Sequence, residues 1–243
     1  MKIIPTLFFA VPLITIRLAA GAPVISPANA TPIGIVQTVP ADFPPDLARL
    51  GIIDGWAKLV VGIDEQGRLL DALTIGYSHP QFATAAAAAL TRWNYRAATI
   101  GGQPIATVTQ LDFNFHHDCG GARIVTLTTL DFSDQLKLKA NKAENKLCSL
   151  AELDSAPIPT HLIAPAYSDG DIRRNAGKTV VVGFYIDETG CVRLPTIAYA
   201  DDVDVAKKAL AAVEQWRFEP PKSKQRPVIT KARQVFVFKA PAD

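Results

Sequence analysis

Ile63-Asp64-Glu65-Gln66-Gly67 returns 123 positions later as Ile186-Asp187-Glu188-Thr189-Gly190, and this recurrence decides how the rest of the chain is read. The same offset holds outward from it: Trp93 is matched by Trp216, Pro104 by Pro227, and Phe113 and Phe115 by Phe236 and Phe238. After the turn it slips by one, where Thr74-Ile75-Gly76-Tyr77 faces Thr196-Ile197-Ala198-Tyr199, the mark of a single-residue change compensated in a loop. A fixed period of this kind means a repeated structural unit. Two homologous units are therefore expected, residues 38–117 and 157–239, with a bridging segment over residues 118–156.

Within each unit the hydrophobic period switches in a set order. Ala57, Leu59, Val61 and Ile63 alternate with Trp56, Lys58, Val60 and Gly62, and Val180, Val182, Phe184 and Ile186 repeat the pattern, as a strand with one buried face requires. Asp-Glu-x-Gly then supplies a hairpin turn, and Leu69 to Tyr77 and Val192 to Tyr199 are the returning strands. Helical spacing follows, with Phe82, Ala86, Ala89, Leu90 and Trp93 on one face and Val205, Ala209, Ala212, Val213 and Trp216 as their counterparts. A turn ending at Pro104 or Pro227 leads to a closing strand, Ile105 to Phe115 or Val228 to Phe238. The expected fold is α+β, with two three-stranded antiparallel sheets, each carrying a packed helix. Short helices are expected at Pro44 to Leu50 and Asp171 to Asn175. The bridge reads as a strand over Arg123 to Phe132, followed by a helix-compatible, Lys-rich stretch from Lys137 to Glu152.

The 243 residues are 49% hydrophobic and 20% charged, a composition that excludes a disordered or polytopic membrane chain. Net charge is +2, and Lys2 and Arg17, in a first thirty residues free of acids, account for all of it; no nucleic-acid footprint is expected. Lys2, the apolar run Ile3 to Ile16, and the small-residue sites Ala19-Ala20-Gly21 and Ala28-Asn29-Ala30 read together as a secretory signal peptide over residues 1–30. The competing reading, a retained anchor, needs about 20 apolar residues, and Arg17 interrupts the run. A processed, periplasmic or secreted protein without stable membrane insertion is expected. Such a compartment permits disulfides. Cys119 and Cys148 flank the bridge and are the expected pair, against the alternative of three free thiols, while Cys191 has no evident partner.

Catalytic chemistry finds little purchase. Neighbouring residues on a strand point to opposite faces, so His116-His117-Asp118-Cys119 does not converge on one ion, and neither a metal nor another cofactor is expected. Asp64-Glu65 and Asp187-Glu188 are expected to sit exposed in hairpin turns, where carboxylates serve turn geometry and solubility. Without a Gly-x-Ser-x-Gly elbow no Ser-His-Asp triad can be argued, and the chain is not expected to be an enzyme. Trp93 and Trp216 end apolar helical faces and belong to the core. Arg217, Lys222, Lys224, Arg226, Lys231 and Arg233, with Glu219 alone opposing them, form a basic run that reads as a solvated surface or as a face for an acidic partner.

Phe43-Pro44, Leu47-Ala48-Arg49-Leu50-Gly51-Ile52, the Ile-Asp-x-x-Gly turn, the Ala-rich helix ending in Trp-x-aromatic, and Gly-x-Pro-Ile before the closing strand together resemble the carboxy-terminal domain of TonB. Unit two carries the same order through Pro165-Ala166-Tyr167, Trp216-Arg217-Phe218-Glu219-Pro220 and Arg226-Pro227-Val228. Departures are Trp93-Asn94-Tyr95 for the usual Trp-Arg-Phe, Ser168 where Pro would follow Tyr167, and Gln225 in place of the turn glycine. The resemblance implies a non-enzymatic periplasmic domain that grips a short segment of an envelope protein, such as an outer-membrane transporter, by adding it to a sheet edge. The long Pro-rich spacer of energy transducers is not expected here, since the 18 prolines are dispersed. The closing strand of unit two is the expected edge, through Ile229, Thr230, Lys231, Ala232, Arg233, Gln234 and Val235, because Lys231 and Arg233 guard it against aggregation while permitting a peptide to dock. The alternatives are an accessory to energy transduction or a transducer with an atypical anchor, and a structural envelope scaffold, which would cap the sheet edges of both units.

Overall fold

A computed structural model describes residues 30–117, 123–126 and 143–238. The signal-peptide reading, Asp118 and Cys119 and the first part of the Lys-rich stretch lie outside the described residues. The fold is α+β, with four α-helices and several antiparallel sheets among the described residues. Among the described residues no helix is long and apolar enough to cross a membrane.

Unit one runs β1 (Gly34–Gln37), α1 (Pro45–Arg49), β2 (Asp54–Ile63), β3 (Leu69–Tyr77), α2 (Pro80–Leu90), β4 (Asn94–Arg96) and β5 (Thr107–His116). The bridge contributes β6 (Arg123–Thr126), β7 (Glu144–Asn145) and β8 (Leu147–Cys148). Unit two then repeats the plan with β9 (Pro159–His161), α3 (Asp169–Arg174), β10 (Thr179–Ile186), β11 (Val192–Ala200), α4 (Val203–Val213), β12 (Arg217–Phe218) and β13 (Ile229–Val237). In each unit the first long strand, β2 or β10, is central, flanked by its hairpin partner and by the closing strand, all antiparallel.

The alternation forecast from sequence puts one face of each sheet under its helix. Ala57, Leu59, Val61, Leu111, Phe113 and Phe115 bury against Phe82, Ala86, Ala89, Leu90 and Trp93. Val180, Val182, Phe184 and Ile186 do so against Val205, Ala209, Val213 and Trp216. The small alanines bring each helix close to its sheet. The glycine of the repeated turn serves two ends at once. Gly67 and Gly190 take φ +78° and +85°, and a β-carbon there would stand 2.5 Å from the Tyr95 carbonyl oxygen or 1.9 Å from that of Phe218. The turn thus closes against the strand that follows the helix, and Phe218 N–H donates to the Gly190 carbonyl at 2.8 Å.

The opposite faces of the two sheets meet each other. Val60, Leu73 and Ile75 of unit one bury with Tyr185, Leu194 and Ile229 of unit two, with Val108 and Leu147 packed alongside. Arg193 donates to both carboxylate oxygens of Asp71 at 2.8 and 2.5 Å, a forked pairing that fixes orientation as well as distance.

The expected three-stranded sheets are larger than that. β7, β3, β2, β5 and β6 form a five-stranded sheet, and β8, β13, β10 and β11 a four-stranded one. The additions all come from the bridge. Its helix-compatible stretch is, over the described part, two short strands and a 3-10 turn at Leu150–Glu152. Two neighbouring sheet edges offer backbone partners there, and pairing with them overrides local helix propensity.

Candidate functional site

β13 pairs with β10 without a register shift, from Ile186 opposite Thr230 to Thr179 opposite Val237. In an antiparallel ladder alternate residues bond to the same neighbour. Ile229 N–H donates away from β10, to the Lys146 carbonyl at 2.7 Å, whereas Phe238 N–H donates toward it, to Lys178 at 3.1 Å. The backbone groups of Lys231, Arg233, Val235 and Val237 therefore face outward, and those of Thr230, Ala232, Gln234 and Phe236 face β10. This divides the residues singled out from sequence: Thr230, Ala232 and Gln234 spend their main-chain hydrogen bonds inside the sheet.

The outer side of this edge is occupied at one end. β8 runs parallel to β13 at Ile229 and Thr230, and the Thr230 hydroxyl donates to the Cys148 carbonyl at 3.0 Å. Ile229 and Thr230 are fully buried as a result. Past them, no strand among the described residues covers Arg233 to Val237. The Gln234 side-chain amide folds over to donate to the outward Val235 carbonyl at 2.9 Å, a provisional cap on one edge acceptor. Lys231, Arg233, Val235 and Val237 present exposed side chains on one face, with the Lys231 ammonium 5.8 Å from the Tyr185 ring centre. Ala232, Gln234 and Phe236 are half-buried on the other, where Phe236 lies 6.1 Å from Trp216.

The remaining edges differ. The outer side of β5 is paired by β6 at Asp112 and Asn114. β3 carries β7 at Gly76 and Tyr77, its Ile75 carbonyl accepts from Lys146 N–H at 2.8 Å, and its pairing with β2 has two register shifts. β11 has no outer neighbour among the described residues, but two register shifts, Pro195 and a positive φ at Leu194 break its line. Irregularity and proline are the usual means of blunting an edge.

The carboxylates of the repeated turns do structural work. Asp64 accepts from the N–H groups of Gln66 and Arg68 at 2.9 and 2.7 Å and from the Arg68 guanidinium at 2.6 Å; Asp187 accepts from Thr189 and Cys191 N–H, both at 3.0 Å. Burial pushes both carboxyls up, but these donors outweigh it and hold each below its ordinary value. Asp64 is buried, where sequence reasoning expected exposure, because Arg68 folds back over it. Trp93 and Trp216 lie in the two cores, and their indole N–H groups donate to the Val39 and Ile163 carbonyls, both at 2.8 Å. His116 contacts Asp54, while the His117 ring lies 4.8 Å from Phe43, so the two histidines part company. Cys148 and Cys191 are free thiols; the expected pairing of Cys148 depends on Cys119, outside the described residues.

Part of the basic run forms a hairpin, Lys222–Ser223 against Arg226–Pro227. Its tip residues Lys224 and Gln225 have φ of +51° and +68°, where unit one has Gly101 and Gly102 at +58° and +80°. Asp154 of the bridge accepts from both tip N–H groups, at 2.7 and 2.8 Å. Sequence reasoning missed Asp154 and β8 alike, because neither has a counterpart in the repeat.

Among curated proteins none matches the chain. The family model of the C-terminal domain of the Gram-negative bacterial TonB protein matches it twice, over residues 40–117 and 163–240, which span the two helix-covered sheets and both closing strands. The chain belongs to the TonB C-terminal family and carries two copies of its domain.

Proposed function

We propose that this is a non-enzymatic periplasmic binding protein whose second unit takes a short extended segment of a cell-envelope protein, such as an outer-membrane transporter, as an added strand beside Arg233–Val237. Family membership supports an envelope partner. The observation that carries the edge is its regularity: β13 pairs with β10 free of register shifts and, among the described residues, has no strand beside it past Thr230, while the matching edge of unit one is paired by β6. A scaffold role would predict caps on both units. An added strand would lie beside Lys231 and Arg233 at one end of a face and beside Val235 and Val237 at the other, which favours an acidic residue followed by β-branched ones.

The test is a photo-crosslinking side chain at Gln234 in intact envelopes, with and without Val235→Pro. Proline removes an outward N–H and is tolerated on an edge. Adducts to an envelope protein that disappear with Val235→Pro, in a variant that still folds, are expected. Adducts of unchanged yield would overturn strand addition at this edge.

A further inference from the structure

The bridge strand touches both units with one short stretch of backbone. Glu144 and Asn145 pair antiparallel with Tyr77 and Gly76 of unit one. Lys146 then donates its N–H to Ile75 of unit one and accepts from Ile229 of unit two, at 2.8 and 2.7 Å. Leu147 and Cys148 continue as the parallel neighbour of Ile229 and Thr230. Side chains reinforce the span: Glu144 accepts from the Tyr77 hydroxyl, the Lys146 ammonium lies 3.1 Å from Glu188 and 5.4 Å from the Tyr77 ring centre, and Leu147 packs into the contact between the sheets.

We infer that Glu144–Cys148 is a displaceable strap, lifted from unit two by any partner strand long enough to run the full β13 edge. This rests on the docking reading above. The strap holds only the first two of the nine residues of β13. Leu147 and Cys148 are half-buried rather than enclosed. An incoming strand that extends past Lys231 reaches the outward groups of Ile229, and can replace the strap's backbone hydrogen bonds there in kind, so the exchange costs no unpaired donor. A shorter strand confined to Arg233–Val237 leaves the strap in place. Since Lys146 and Leu147 also join the contact between the units, displacement would loosen that contact, and partner length would be read out as a change between the two halves of the protein.

Cys148 reports the event. In the full chain carrying Cys119→Ser and Cys191→Ser it is the single thiol, and its maleimide labelling rate can be followed with two capped peptides of alternating glutamate and valine. One matches the nine residues of β13 and the other matches Arg233–Val237. The long peptide should raise the labelling rate at least tenfold and the short one should leave it unchanged. Leu147→Ala, which weakens the strap, should tighten binding of the long peptide several-fold without affecting the short one. If the long peptide perturbs the amide resonances of Arg233, Val235 and Val237 but alters neither Cys148 labelling nor its response to Leu147→Ala, the strap is not displaced and the inference falls. If neither peptide perturbs those amides, the docking reading falls first and takes this one with it.

Discussion

Leu194 lies over Gly62: a β-carbon on the glycine would stand 2.7 Å from the leucine Cδ2. The leucine reaches this place from a backbone with φ +51°, a costly conformation for a branched side chain, at a bulge followed by Pro195. Its side chain is buried between the units, and the glycine is the recess that admits it.

This pairing yields a double-mutant prediction. Leu194→Ala should cost about 2–5 kcal/mol through lost burial and a cavity, and Gly62→Val about 1–3 kcal/mol through overpacking. Combined, they should cost less than their sum, because the valine fills the space the leucine leaves. Urea denaturation of the four proteins measures it. Strict additivity would mean that the two residues do not share one site.

At the other end of unit two, Asp154 stands in for glycine. The tip residues Lys224 and Gln225 both adopt left-handed backbone conformations that Gly101 and Gly102 adopt without strain. Asp154→Ala should lower stability by about 1 kcal/mol, as loss of a capping carboxylate does. Gln225→Gly should raise it by about 0.5–1 kcal/mol. In the Lys224→Gly, Gln225→Gly background the Asp154→Ala cost should persist, since the N–H groups remain; a cost that vanishes would show that Asp154 compensates strain rather than satisfying donors.

How much of this could be read beforehand follows from where the information sits. The repeat at Ile63–Gly67 and Ile186–Gly190, the alternation along β2 and β10 and the helical stripe to Trp93 and Trp216 are local patterns, and they map onto strands and helices close to their forecast limits. Long-range pairing of the bridge is not local. Nothing in Glu144-Asn145-Lys146-Leu147-Cys148 alternates long enough to announce a strand, and its conformation is set by the two edges it meets. The buried second face, with Val60, Tyr185 and Leu194, was visible only as apolar residues on the wrong side of each strand. The candidate edge was legible as a strand, but which of its N–H groups face outward depends on register with β10.

That register separates two classes of proline substitution. Thr230 and Gln234 direct their N–H groups into the ladder with β10, so Thr230→Pro and Gln234→Pro each delete an internal hydrogen bond and should destabilise unit two by about 1–3 kcal/mol. Val235→Pro loses a donor that faces away from β10 and should lower stability by no more than about 0.5 kcal/mol. Thermal unfolding checks the order. Equal losses at Gln234 and Val235 would mean that the alternation is misassigned.

Acid should weaken the fold through carboxylates with lowered pKa. Asp171 caps α3 and ties it to α4: the Lys208 ammonium at 2.6 Å acts most strongly, followed by the Ser168 N–H at 2.9 Å and the Ser168 hydroxyl, and together they hold the carboxyl far below its usual range. Asp64 and Asp187 are lowered too. A carboxyl whose folded pKa lies below its unfolded value contributes its full stabilisation above the unfolded value, about 3.9, and loses it as pH falls through the folded one. The urea midpoint should therefore hold level from pH 7 to about 5 and decline below about 4. Lys208→Met removes the largest cause of the Asp171 shift, so it should lower the midpoint at neutral pH and make the acid decline shallower. Asp171→Asn should do the same, because the amide can still accept from Ser168 N–H but cannot pair with the ammonium. An acid limb of unchanged slope in both variants would show that Asp171 titrates alike in the folded and unfolded chain.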